Sequence, residues 1–376
     1  MQGCDYHADV QRWANIYAKR PRQFAASWEQ AMPFLLLVVD ELKRRDLPGE
    51  FAMLPYVESN YQPVASRGDR AAGMWQLVPD TARAAGLAVG ADYDGRLDAL
   101  ASTVAALDLI EHYRKEFVDW RLADMAYNSG EFRVRKLLGG RDARTLSASE
   151  LAQLAFKPTT HDHLNRLLAL ACIIDDPARF GVTLPEPGAD DTLRSVSLKA
   201  GMDLRLAARL AGLDVNDVQR WNAGFRYHRM APAAAHRLLL PKDSVARFQA
   251  AADAVPIALW GDWREQRVVS TSGIGTWATQ IGVPAAVLAA ANALDEHATV
   301  TRMTALLLPG RESDPVDDVA HAAERERSYV VGAGDTLSRI AHRCAIPLSQ
   351  LKRLNPGANG TLHPGQRLRV GSNSKN

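Results

Sequence analysis

The sequence predicts an α+β protein that is mostly α, with a helical first half followed by small units of two short helices between two strands. Three observations predict this. Apolar residues recur at helical spacing from Asp9 to Ile174. Pro177, Gly181, Pro185 and Pro187 then punctuate the chain as a domain boundary does. Beyond them, a pattern of apolar helix positions ending in asparagine recurs, reaching Asn222, Asn292 and Asn355. A chain of 376 residues is also long enough for more than one core.

From Asp9 to Arg45 the helical spacing is expected to break near Pro21 and Pro33, leaving Ala31 to Arg44 as a helix with a basic end. Asp98 to Phe117 is the next strong helix, its apolar face set by Leu100, Val104, Leu107 and Ile110. Leu122 to Tyr127 leads into an Asn128-Ser129-Gly130 turn, and Leu164 to Ile174 forms a further apolar helix. The clearest repeat copy runs from Tyr329 to Val370. In it, Tyr329-Val330-Val331 reads as a strand and Gly334-Asp335-Thr336 as a turn capping the helix Leu337 to Cys344. Leu348 to Leu354 is the second helix, ending at Asn355, and Gln366 to Val370 is the closing strand. Upstream, Leu204, Ala208, Leu213, Val218 and Trp221 precede Asn222 at the same spacing, as Ile274, Ala278, Val283, Leu288 and Ala291 precede Asn292. These copies close on Leu238 to Pro241 and Leu306 to Pro309 and lack the Gly-Asp-Thr turn. The expected domains are 1–187, 190–245, 265–310 and 328–371, with a charged linker at 311–327 that lets the last unit swing.

Composition narrows the function. A net charge of +2 gives no electrostatic case for nucleic acid, and the longest apolar run, Phe34 to Val39, is too short to span a bilayer. Cys4, Cys172 and Cys344 have no metal-ligand spacing and form no dense disulfide framework. Cys172 and Cys344 are expected in cores. Cys4 follows Gly3 as the cysteine of a bacterial lipoprotein cleavage site follows a small residue, although no hydrophobic segment precedes it; either an export signal has been removed or the pair is accidental.

The most informative segment is Leu54 to Thr81, where a single carboxylate, Glu58, stands among Leu54, Tyr56, Val57 and Tyr61. Facing inward, it would be desolvated and so able to hold a proton near neutral pH, as a catalytic acid must. Ser59 follows it, then a loop of small residues from Ala65 to Gly73 and the string Ala72-Gly73-Met74-Trp75-Gln76; Ala126-Tyr127-Asn128-Ser129-Gly130-Glu131 lies downstream. In this order the blocks resemble the soluble lytic transglycosylase family, membrane-bound murein transglycosylase D type, whose catalytic module is helical and lysozyme-like. The Tyr329–Val370 unit resembles the LysM module, a βααβ fold that binds N-acetylglucosamine-containing glycans.

The resemblance implies cleavage of the β-1,4 bond between N-acetylmuramic acid and N-acetylglucosamine in the bacterial periplasm. Glu58 would act first as acid and then as base on the sugar's own C6 hydroxyl, giving a 1,6-anhydro end. It further implies that Ser59 orients the Glu58 carboxylate, and that Ser66, the Ala72-Gly73-Met74 backbone, Gln76, Tyr127 and Asn128 line the sugar groove. Gly68 and Gly73 would permit close approach of the glycan. Gly334, Asp335, Thr336 and Asn355 would bind glycan in the last unit. Glu131 reads as a structural partner rather than a second acid. No metal or cofactor is implied, and the expected state is a monomer, with an outer-membrane lipid on Cys4 as an anchor if the Gly-Cys pair is a lipoprotein site. One departure stands out: the family's active-site tyrosine aligns with His163, within Thr159-Thr160-His161-Asp162-His163-Leu164. Imidazole donates a hydrogen bond as phenol does, but it is expected to change charge near physiological pH, so that activity falls as pH drops through its titration. The same residues leave open a goose-type lysozyme-like hydrolase and a glycan-binding scaffold without activity.

Overall fold

The helical spacing of the first half is realised as α1 (Ala8–Ala18), α2 (Pro21–Arg44), α3 (Leu54–Ser59), α4 (Pro79–Ala84), α5 (Ala99–Phe117), α6 (Trp120–Ser129), α7 (Glu131–Leu138), α8 (Ala148–Ala152) and α9 (Pro158–Asp175). This is a computed structural model. It describes residues 4, 6–66, 69–230, 236–310, 328–331, 335–344, 346, 348–355, 358, 362 and 366–370. Local chemistry sets several ends. Asp98 caps α5 by accepting from the Ala101 N–H at 2.8 Å, and Asp119 caps α6 by accepting from Arg121 and Leu122. Gly130, at φ +85°, separates α6 from α7 in a conformation that favours glycine.

The break expected at Pro33 does not occur. Pro21 opens α2 at its first turn, and Pro33 is buried inside the helix. The reason is the stripe of Phe24, Trp28, Ala31, Phe34, Val38 and Leu42, all buried along one face on both sides of Pro33. Each large apolar side chain buried contributes about 1.5–3 kcal/mol, which together outweigh the roughly 3 kcal/mol cost of an interior proline. That face holds α3 in place: Trp28 stacks on Tyr56 with centroids 4.4 Å apart. From the other side, the Arg166 guanidinium on α9 donates to the Val57 carbonyl at 3.0 Å.

Cys4 and Cys172 are joined in a disulfide, fastening the start of the chain to α9. Cys172 is buried as expected, and Cys344 is a half-buried free thiol beside the core of the last unit. A sulfur bonded to another sulfur has no valence left for a thioether, so this disulfide and the expected lipid on Cys4 are alternatives.

Two βααβ copies follow. The first pairs β1 (Leu193–Ser197) antiparallel with β2 (Arg237–Pro241) around α10 (Leu204–Ala211) and α11 (Val215–Trp221); α12 (Lys242–Asp253) comes after it. The second pairs β3 (Trp263–Arg267) with β6 (Ala305–Pro309) around α13 (Ile274–Ile281) and α14 (Ala285–Ala291). A minor pair, β4 (Ser272–Gly273) with β5 (Thr299–Val300), joins its loops. The repeated asparagine has a structural task. The Asn222 amide donates to the Leu239 carbonyl at 3.0 Å and its oxygen accepts from the Leu239 N–H at 2.8 Å. Asn292 does the same to Leu307, at 2.8 and 2.7 Å.

Both copies belong to one compact unit with the helical domain, Met1–Pro309. The first copy is tied to it by backbone: Asp94 N–H donates to the Gly224 carbonyl at 2.9 Å and Arg226 N–H to the Asp92 carbonyl at 3.0 Å, with Tyr93 against Phe225. The second unit, Gly310–Asn376, contains β7 (Ser328–Val330), α15 (Leu337–Arg343), α16 (Leu348–Leu354) and β8 (Arg367–Arg369), with β7 antiparallel to β8. Its core includes Val331, Ile340, Leu351 and Leu368. The expected linker 311–327, Gly68 and Gly334 lie outside the described residues.

Candidate active site

Glu58 sits near the end of α3, which the buried Leu54, Tyr56 and Val57 anchor to the core. Its own side chain is 18% exposed, and its Oε1 lies 3.0 Å from His163 Nε2. The expected apolar pocket is thus replaced on one side by an imidazole. His163 is 5% exposed, and its other nitrogen, Nδ1, lies 3.1 Å from Oδ2 of Asp124, which is completely buried. The result is a chain of carboxylate, imidazole and carboxylate drawn from α3, α9 and α6.

Buried between two carboxylates, His163 has its pKa pushed up to about 10: desolvation works against the charged ring, and the charges and hydrogen bonds of Asp124 and Glu58 outweigh it. This direction runs against the expected charge change near neutral pH and favours the imidazolium there.

The loop following α3 is positioned by its own hydrogen bonds. Gly73 adopts φ +79°, and a Cβ on it would lie 1.7 Å from the Arg96 carbonyl oxygen. Its N–H donates to the Val64 carbonyl at 2.9 Å, and its carbonyl accepts from Gln76 Nε2 at 2.8 Å. Ser66 Oγ donates to the Arg70 carbonyl at 2.9 Å within the same loop. Arg96, 3% exposed, holds the loop from behind: it donates to the Arg70 carbonyl at 2.9 Å and pairs with the buried Asp94 at 2.8 Å.

Several expected roles are relocated. Ser59 does not orient Glu58; its Oγ donates to the Met74 carbonyl at 2.9 Å, tying α3 to the loop. The Met74 side chain is buried in the core, which anchors the backbone of the loop at this point. Trp75 is fully buried, and its Nε1–H donates to Thr103 Oγ1 at 3.0 Å. The Tyr127 hydroxyl donates to the Trp75 carbonyl at 2.6 Å. Burial, with the Glu58 charge nearby, pushes the Tyr127 phenol well above its ordinary pKa, so it stays protonated. Asn128 is exposed. Glu131 pairs with His112 at 3.2 Å and Arg135 at 3.4 Å, a surface network apart from Glu58. His112, Glu116 and Glu131 bring their ligand atoms within 4.8 Å of one another, but Arg135 already binds both carboxylates with the charge a metal ion would supply.

Asp124 was not singled out from the sequence. Its only signal there is one acid inside the apolar run Leu122-Ala123-Asp124-Met125-Ala126. In the last unit, the Tyr329 hydroxyl donates to Asp335 at 2.8 Å and Arg343 pairs with Asp335 at 3.5 Å, while Thr336 caps α15 by accepting from the Arg339 N–H. Asn355 donates to the Leu351 carbonyl at 2.9 Å, the bond that Asn222 makes to Val218 and Asn292 to Leu288. Asn355 thus occupies the position whose amide pins the closing strand in the upstream copies.

Comparison with known proteins finds three matching family segments. Residues 38–148 match the Transglycosylase SLT domain, residues 192–257 the LysM-like domain of lytic transglycosylase MltD, and residues 329–371 the LysM domain. His163 lies beyond the first of these segments. The membrane-bound lytic murein transglycosylase D of Escherichia coli K12 is 29% identical over 346 residues, 92% of this chain and 65% of that protein. The protein of the same name from Escherichia coli O6:H1 gives the same figures. Among solved structures, the lytic transglycosylase Slt of Pseudomonas aeruginosa is similar at 22% identity and a TM-score of 0.31, covering 40% of this chain and 25% of that one. An SLT domain, an MltD-type LysM-like domain and a LysM domain thus follow one another along this chain, which spans about two thirds of the length of the two murein transglycosylases it resembles.

Proposed function

We propose that this protein is a peptidoglycan lytic transglycosylase, cutting the β-1,4 bond between N-acetylmuramic acid and N-acetylglucosamine and leaving 1,6-anhydro ends. Glu58 gives its proton to the glycosidic oxygen as the bond to C1 breaks and the electron pair goes to the leaving oxygen. The Glu58 carboxylate then takes the C6 hydroxyl proton as O6 bonds to C1. No water is consumed, and the intramolecular hydroxyl replaces a second catalytic carboxylate. Gln76, Tyr127, Asn128 and the Gly73 carbonyl are proposed to border the sugar groove.

One observation carries this proposal above a two-carboxylate hydrolase. The second carboxylate of the Glu58 network, Asp124, is completely buried behind His163, so within the network one acid alone has access to a sugar. The names of the E. coli relatives, both membrane-bound murein transglycosylases, support the same substrate and a periplasmic, membrane-associated location. The Cys4–Cys172 disulfide is in keeping with an oxidising compartment. Product analysis of a sacculus digest tests the assignment.

The 329–371 unit is proposed as the principal glycan holder and the upstream copies as parts of the enzyme body. The loop of the first copy, at Gly224–Arg226, is engaged by Asp92–Asp94, whereas Gly310–Asn376 forms a unit of its own. Deleting Tyr329 to Val370 is expected to weaken sacculus binding by about tenfold or more, through loss of local concentration. Turnover of short soluble glycans should be retained. A pull-down with unchanged sacculus affinity would remove this assignment.

A further inference from the structure

Asp124 is a carboxylate with no evident structural reason to be where it is. It lies in the apolar run of α6 and is completely buried, and its Oδ1 has no hydrogen-bond partner among the described residues. Its Oδ2 meets His163 Nδ1, and nothing else is drawn to it by hydrogen bond. A buried carboxylate destabilises a fold unless it is paired, and an apolar residue of similar volume would serve the packing better. What Asp124 does is best seen from His163, which faces a carboxylate oxygen at each nitrogen. With the acid's proton held on the other Glu58 oxygen, the ring serves both acceptors by donating from both nitrogens, as an imidazolium.

We propose that Asp124 is a positioning residue for the reaction, fixing the His163 ring through Nδ1 and cancelling its charge, so that Nε2–H holds Oε1 of Glu58 and leaves the other carboxyl oxygen to exchange the proton. This rests on the assignment of Glu58 as the acid and base. The gain is electrostatic. Positive charge builds on the sugar as the glycosidic bond breaks, and an uncompensated imidazolium beside Glu58 would oppose it. Paired with Asp124, His163 becomes a donor of zero net charge, the service a phenol would give without a counter-ion. The groups around His163 are consistent with this: Glu58 from α3, Asp124 and the protonated Tyr127 from α6, and on α9 itself Asp162, taken by Trp13 and Arg12, and Arg166, taken by Tyr17 and Val57.

The experiment compares the full chain with Asp124→Asn, His163→Tyr and the double variant on soluble glycan strands, alongside 15N NMR of the histidine rings. Asp124→Asn is expected to lower kcat by about 10- to 100-fold, the range that loss of a buried orienting partner costs elsewhere, with a smaller change in KM. Its activity should also decline as pH rises through neutrality, because the unsupported ring loses its proton and turns a lone pair toward Glu58; the parent should show no such limb there. In the His163→Tyr background the phenol needs no counter-charge, so adding Asp124→Asn should not reduce kcat further. The parent His163 ring should carry protons on both nitrogens at neutral pH. A neutral parent ring, or Asp124→Asn within about threefold of the parent in kcat with a superimposable pH profile, overturns the proposal. If Asp124→Asn does not fold, the parent NMR spectrum still decides. A parent that releases no soluble product refutes the Glu58 assignment instead, and the NMR reading distinguishes the two failures.

Discussion

Glu58→Gln is expected to reduce turnover of peptidoglycan by about 10² to 10⁴, the worth of a positioned general acid, while sacculus binding is kept. Glutamine preserves the shape of the side chain, and its amide oxygen still accepts from His163 Nε2, 3.0 Å from Oε1 in the parent. What it lacks is a proton to give and a lone pair basic enough to take one back. Both halves of the reaction fail together, so no partial reaction should accumulate. Because α3 is held by the buried Leu54, Tyr56 and Val57 rather than by Glu58, the thermal midpoint should change little. Activity within about tenfold of the parent would contradict the single-acid mechanism.

The second large effect is on stability. Asp94→Ala is expected to destabilise Met1–Pro309 by about 3–5 kcal/mol, since it leaves Arg96 buried without its counter-charge. Asp94 and Arg96 are 2% and 3% exposed and 2.8 Å apart. Arg96 also supports the loop through the Arg70 carbonyl, and its own carbonyl packs against Gly73, so the folded fraction should lose activity as well. Chemical denaturation checks the first statement, and kcat/KM well below the melting transition checks the second. A loss below about 1 kcal/mol would show that the Arg96 charge reaches water or another partner.

Much of this molecule is legible from sequence because it is written in local rules. Helical spacing, the Asp98 cap and the glycine at Gly130 set element ends without help from distant residues. The repeat could be found because Asn222, Asn292 and Asn355 keep one place in a short unit. Pro33 misled because its cost is local, whereas the compensating stripe from Phe24 to Leu42 draws its energy from the packed core. Asp124 was illegible because a lone acid among Leu122, Met125 and Ala126 has no periodic signature. Only the packing of α6 against α9 brings it to His163, 39 residues away. The Cys4–Cys172 bond closes 168 residues and was hidden for the same reason. The pairing of Asp92–Asp94 with Gly224–Arg226, which joins the first copy to the helical domain, left no mark in the sequence. The alignment of His163 with a tyrosine located a partner of Glu58, but its charge depended on Asp124 and could not be read from the histidine alone.

The most direct test of the central claim is mass spectrometry of the fragments that the purified chain releases from sacculi. A lytic transglycosylase leaves 1,6-anhydro-N-acetylmuramic acid ends with no oxygen gained from solvent. A digest in 18O-labelled water should therefore give unlabelled anhydro fragments, and Glu58→Gln should give none above background. Reducing ends carrying 18O would contradict the account and assign the site to hydrolysis, and the absence of any soluble fragment from the folded parent would contradict it as well.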